Sequence, residues 1–244
     1  MSTEIVINAV MGLAALTYSF AGFGFALIAV PLLALLMPTK IAVATQFPLM
    51  FALNVYVAFR DGRSLRWQQL WPLFLGSCLG IPLGFFLVHM LSEAIVKRTL
   101  SVFIVLIIIN SRLKWGKYLK GLFASSSWWG VGMGMFSGWL QGAYTTGGPP
   151  AVIYAVATIP DPVQTKGFLA IFFLFMNVFV MVPLFYLSGT ISGGELLAHL
   201  RFAPAVVIGT IIGALLFRRV NNKGFLLAAD CLLLVTSVLL WLRS

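Results

Sequence analysis

Residues 141–152, QGAYTTGGPPAV, set an amide, a phenol and two hydroxyls beside paired glycines and paired prolines, inside a run that is otherwise apolar. Pro149 and Pro150 suit the first turn of a helix, where amide hydrogens lack partners in any case. Gly147 and Gly148 allow positive φ and close approach, and Thr145 or Thr146 can cap. The stretch predicts a half-helix whose N-terminal amides and positive dipole end meet an anion. A helix end contributes about 0.3–2 kcal/mol, far less than the cost of stripping water from an anion, so further donors are needed. The neutral candidates are Thr145, Thr146, Gln141, Tyr144, Asn54, Asn177 and Gln46. Neutral donors suit a carrier, because a buried fixed cation would hold the anion too tightly for release.

An earlier stretch, YSFAGFGFALIAVP, offers Ser19, Gly22 and Gly24 in the equivalent place. Ionisable groups within apolar runs are scarce. Asp230, in LLAADCLLLV, lies seven residues beyond Lys223 and so on the same helix face; it is a candidate proton-coupling carboxylate or a structural partner for a basic side chain. His89 and His199 sit near the ends of apolar runs and read as interfacial. Catalysis has no footing in the motifs: there is no GxS nucleophile elbow, no HExxH, and no His near the TTGGPP break. Cys78 and Cys231 fall in apolar segments with no disulfide or metal spacing. No cofactor is implied.

These residues must be held by helices in lipid. Of 244 residues, 61% are hydrophobic and 9% charged, so no water-soluble fold could cover the apolar side chains. Long continuous apolar runs favour helical spans over a barrel of alternating strands. The N-terminus has no basic residue before its first apolar run, unlike a secretory signal, and is expected to stay on the mature protein. The net charge of +10 comes mostly from Lys and Arg between apolar segments, which is the placement of lipid-facing loops and argues against nucleic acid. The expected partners are the bilayer and a small anion; a homo-oligomer is compatible with the sequence.

Eight apolar segments cover 5–37, 41–59, 67–90, 99–111, 128–159, 167–188, 196–217 and 224–242. The first and fifth exceed one span, and each is broken near its middle. Gly24 and Gly147 are 123 residues apart, as are Asn54 and Asn177, which points to an internal duplication. GSCLG at 76–80 and GTIIG at 209–213 align at an offset of 133, implying ten extra residues in the second copy, within 187–199. The expected organisation is a first membrane repeat over 1–111, a basic cytoplasmic linker over 112–127 and a second repeat over 128–244. Gly76, Gly80, Gly84, Gly209 and Gly213 read as close-packing points.

Charge settles the expected threading. With each broken segment crossing once, alternate loops carry 9 and 7 basic residues; with each as a returning hairpin, the split becomes 11 to 5, in keeping with the positive-inside rule. The expected fold is therefore an all-α integral membrane protein of two inverted repeats, each a broken hydrophobic hairpin followed by three transmembrane helices, with both termini outside. Inversion would aim the two tips at one cavity.

The chain resembles the sulfite exporter TauE/SafE family, also called the 4-toluene sulfonate uptake permease family. AGFGFALIAVPLLALLMPTKIAVATQF resembles that family's glycine cluster, its VPLL run and the AVAT helix. SGWLQGAYTTGGPPAVIYAVA resembles its GxxxG approach and GGPP signature. Phe23, Phe25 and Ala26 stand where the family often has more glycine. The resemblance implies a multi-pass protein of a bacterial inner membrane that transports sulfite or a small organosulfonate. A passive anion channel and a non-transporting membrane scaffold are the alternatives.

Overall fold

The computed structural model describes residues 2–21, 24–61, 67–113, 126–159, 161–189, 199–217 and 222–243. Gly22, Phe23, most of the basic linker and most of the 187–199 stretch lie outside the described residues, as does the Lys223 side chain. Helices account for the ordered backbone among the described residues, as lipid requires of a chain that must satisfy every peptide group internally. In chain order they are α1 (Ser2–Ala21), α2 (Phe25–Ala34), α3 (Thr39–Asp61), α4 (Trp67–Met90) and α5 (Glu93–Leu113). The second half follows with α6 (Ser127–Tyr144), α7 (Gly148–Thr158), α8 (Pro162–Met176), α9 (Val182–Leu187), α10 (Ala203–Phe217) and α11 (Asn222–Leu242). A π-helical turn, Asn177–Met181, joins α8 to α9, so these run as one interrupted rod.

Among the described residues, three helices are long and apolar enough to cross a membrane: Thr39–Arg60, Trp67–Met90 and Gln164–Leu187. By contrast α2, with 10 residues, and α7, with 11, rise only about 15–17 Å, half the hydrocarbon thickness. Both breaks expected from sequence are present, with Gly24 capping α2 and Gly147 capping α7. Gly24 has φ 95°, a left-handed conformation that glycine enters without penalty.

The chain divides into two compact units, and neither is a contiguous half. The first contains Met1–Met50, Leu91–Ile109 and Gly193–Ser244; the second contains Phe51–Met90 and Asn110–Ser192. In the first unit, α1 packs on α10; in the second, α6 packs on α4. Each broken hairpin therefore lays its first limb on a glycine-bearing helix from the other half of the chain.

Both pairings rest on glycine against backbone. A Cβ added at Gly80 would overlap the Met135 carbonyl oxygen, and one at Gly84 the Trp139 carbonyl oxygen. In the other unit a Cβ at Gly209 would overlap the Gly12 carbonyl oxygen, and one at Gly213 would stand 2.5 Å from that of Leu16. The close-packing reading of these glycines is what the structure shows. Ser77 adds a polar tie, its hydroxyl donating to the Leu73 carbonyl at 2.9 Å and across to the Gly134 carbonyl at 2.8 Å.

The contacts also bear on the register expected of the repeat. Met135 and Trp139 stand 123 residues beyond Gly12 and Leu16, the spacing already seen at the breaks. Their glycine partners then pair Gly80 with Gly209 and Gly84 with Gly213, an offset of 129 rather than 133. On the expected duplication, these contacts match GTIIG with GIPLG at 80–84, one helical turn beyond GSCLG, and would give the second copy six extra residues instead of ten. Glycines repeating every four residues in α4 allow either alignment on paper; only the facing carbonyls select one.

Candidate functional site

The turn between α6 and α7 is built from the end of one helix and the start of the next. α6 closes with Thr145 in the left-handed conformation, φ 55° and ψ 24°, its amide donating to the Gln141 carbonyl at 2.8 Å. Glycine usually takes that place at a helix end; here Thr145 does, with its hydroxyl donating to the Tyr144 carbonyl at 2.6 Å. The Thr146 amide donates to the Leu140 carbonyl at 3.3 Å. Gly147 has φ −64°, so the positive φ expected of the glycines falls on Thr145 instead. What Gly147 requires is space. A Cβ there would stand 2.5 Å from the Ser137 carbonyl oxygen and 2.9 Å from Gln141 Cβ.

The amides of the half-helix are also fewer than the sequence suggested. Pro149 and Pro150 have no N–H, and the Gly147 N–H is taken by Gln141 Oε1 at 3.1 Å. Of this first turn, Gly148 keeps an amide hydrogen with no acceptor among the described residues. The row of free amides expected from the sequence is therefore reduced to the Gly148 N–H among the described residues.

A chain of bonds fixes those side chains. Because the Gly147 N–H can only donate, Gln141 must turn its oxygen toward it, which sends Nε2 the other way. Gln141 Nε2 donates to Asn177 Oδ1 at 3.1 Å. Asn177 must then face Gln141 with its oxygen, so its Nδ2 points elsewhere. That Nδ2 is buried without a hydrogen-bond partner among the described residues, on a residue of 0% exposure. Buried donors are rarely left so, because an orphan costs about 1–3 kcal/mol. Ser137 completes the group, its hydroxyl donating to the Gly147 carbonyl at 2.6 Å.

Asn177 sits at the start of the π-helical turn, where the Val182 amide reaches back to the Asn177 carbonyl. Pro183 explains the widening. A proline within a helix has no N–H for the carbonyl four residues earlier and its ring crowds that carbonyl, so the preceding turn opens. Single π turns recur at functional sites.

Of the residues singled out from the sequence, the structure joins Gln141, Gly147 and Asn177 directly, with Tyr144, Thr145, Thr146 and Gly148 on the same turn; all but Gly148 are buried. Asn54 is buried on α3 in the same unit. Gly24, Gln46 and Asp230 belong to the first unit: Gln46 is fully buried with its Nε2 donating to the Val43 carbonyl at 3.4 Å, and Asp230 is half-buried on α11. Sequence reasoning missed Ser137, although its place four residues before Gln141 puts both on one face of α6. Among the described residues every buried polar side chain is neutral, and no cluster of His, Cys, Asp or Glu could hold a metal.

No curated protein and no solved structure matches the chain. A family match does extend over residues 7–240, from the first helix to the last and across both broken hairpins. Apolar helices throughout, a polar turn buried inside them and this nearly complete match lead to one conclusion: the chain belongs to the sulfite exporter TauE/SafE family of membrane transport proteins.

Proposed function

We propose that the protein is a secondary transporter that exports a small sulfur-containing anion, sulfite or an organosulfonate, across a bacterial inner membrane, with the turn at residues 145–148 as substrate site. The observation that carries this reading is the buried Asn177 Nδ2, a hydrogen-bond donor with no acceptor among the described residues, held by Gln141 beside a helix N-terminus. A donor fixed in that way suits an oxyanion that arrives and leaves. Two inverted hairpins, each entering from its own side of the bilayer, would give the alternating access that export needs. Tyr144, Thr145 and Thr146 stand as further donors on the turn, and Gly22 and Gly24 mark the corresponding tip of the first repeat.

The test is counterflow of radiolabelled sulfite into proteoliposomes of the purified protein. Saturable uptake, competed by sulfonates and not by neutral solutes, is expected. It should be lost in Gly147→Leu and kept in Gly132→Ala, whose added methyl meets nothing within 4 Å. Linear flux with conductance would replace the carrier by a channel. Absence of flux from well-folded protein would leave a scaffold. Proton coupling through Asp230 requires that Asp230→Asn alter transport across a pH series; equal transport removes that role.

A further inference from the structure

We infer that the site at the α6–α7 turn takes a singly charged oxyanion and rejects dianions; this rests on the transport reading above and names the charge state of its substrate. Two independent observations belong to this one hydrogen-bonded group. One is the N-terminus of α7, an 11-residue helix with the Gly148 N–H unclaimed among the described residues. The other is Asn177 Nδ2, fully buried and unpartnered, its direction fixed through Gln141 by the Gly147 amide.

Charge selection follows from what surrounds these donors. Among the described residues of this unit, the buried polar ones are Asn54, Ser77, Ser137, Gln141, Thr145, Thr146, Thr165 and Asn177, all neutral. The titratable groups on the elements packed together here are Cys78 and His89 on α4, Tyr144 on α6, Tyr154 on α7, Lys166 on α8 and Tyr186 on α9. Lys166 precedes Asn177 by eleven residues, about 16 Å along the helix. The His89 ring, on an exposed residue at the end of α4, holds the Phe85 carbonyl at Nδ1, 2.8 Å away. Asp161 adds a half-buried carboxylate between α7 and α8. No described cation is built into the turn.

A site of neutral donors responds to ligand charge unequally. The attraction of an ion to fixed dipoles grows in proportion to its charge, so a dianion gains about twice as much as a monoanion. The cost of leaving water grows with the square of charge, so it pays about four times the desolvation. Without a cation to offset the excess, the monoanion binds and the dianion stays in water. Hydrogensulfite and sulfonates each carry one charge; sulfite after its second ionisation carries two, and so does sulfate.

Competition against sulfite counterflow separates these cases. Methanesulfonate, a monoanion throughout, should compete equally at every pH in the neutral range. Sulfate should need about tenfold more or worse, and unlabelled sulfite should weaken as a competitor as rising pH converts it to the dianion. Asn177→Asp keeps an acceptor for Gln141 Nε2 but replaces the spare donor by a charged acceptor; it should lower apparent affinity for sulfite by about tenfold or more, with unchanged elution from a sizing column. Sulfate competing as well as methanesulfonate would overturn charge selection while leaving an anion carrier. Unchanged affinity in folded Asn177→Asp would overturn Asn177 as a ligand. Failure of the transport reading is distinct, since then wild-type protein shows no counterflow.

Discussion

Gly80→Ala probes the helix pairing on which the turn depends. The added Cβ would overlap the Met135 carbonyl oxygen and stand 2.8 Å from the Trp139 nitrogen and 2.9 Å from the Met135 carbonyl carbon, all backbone atoms that no rotamer change can move. Restoring ordinary contact, about 3.5–4.0 Å, forces α4 and α6 apart by roughly 1 Å along a seam that includes Gly76, Gly84, Gly134, Gly138 and Gly142. Overpacking of that kind costs about 1–3 kcal/mol. Gly132→Ala, on the same helix pair, is the matched control: its Cβ meets nothing within 4 Å, and alanine gains about 0.5–1 kcal/mol over glycine inside a helix. Thermal unfolding in detergent, followed by tryptophan fluorescence, should show Gly80→Ala lowered by about 4–8 °C for a loss near 2 kcal/mol. Gly132→Ala should match or slightly exceed wild type. Equal midpoints for the two variants, in either direction, would refute the account of glycine against carbonyl.

Gly147→Ala should abolish sulfite counterflow with a smaller stability loss than Gly80→Ala, because its Cβ would crowd one backbone atom, the Ser137 carbonyl oxygen at 2.5 Å, where that of Gly80→Ala meets three; comparing flux with unfolding midpoint checks this. Gln141→Leu strands the Gly147 N–H and Asn177 Oδ1 together, an expected loss of about 2–6 kcal/mol at 1–3 for each orphan, read by denaturant unfolding. Ser137→Ala removes a single buried bond and should cost about 1 kcal/mol in the same measurement. Arg201→Ala breaks an exposed ion pair with Glu4, 2.9 Å long, and should change stability by less than about 1 kcal/mol.

Much of this architecture could be read before any coordinate was known, because lipid leaves a chain few choices. Apolar runs had to be helices, and TTGGPP had to interrupt one. The breaks at Gly24 and Gly147 were legible because proline and glycine act locally. What escaped was relational. Gln141 and Asn177 were recognisable as donors, but their bond joins residues 36 apart and depends on which way an amide faces. The left-handed Thr145 was hidden behind two glycines that better fit the rule. The π turn at Asn177–Met181 left one trace, Pro183, and an apolar run with a proline does not announce where its helix will widen. The expected repeat offset was ambiguous for a different reason: glycines every four residues look alike to an alignment, and one turn of slippage is invisible until the facing carbonyls are known.

The exchange of partners between halves has a bearing on ancestry. If α1 leans on α10 while α6 leans on α4, then a half of this chain, expressed by itself, lacks the surface its own hairpin needs. On the expected duplication, a primordial gene encoding one half could have produced a stable product only by pairing two copies, each lending a glycine-lined helix to the other. Fusion would have made that loan permanent and let the copies diverge, prolines gathering at one tip and phenylalanines at the other. Severing the chain within the basic linker should return it to that condition: two fragments that are recovered together when co-expressed, and neither when made alone.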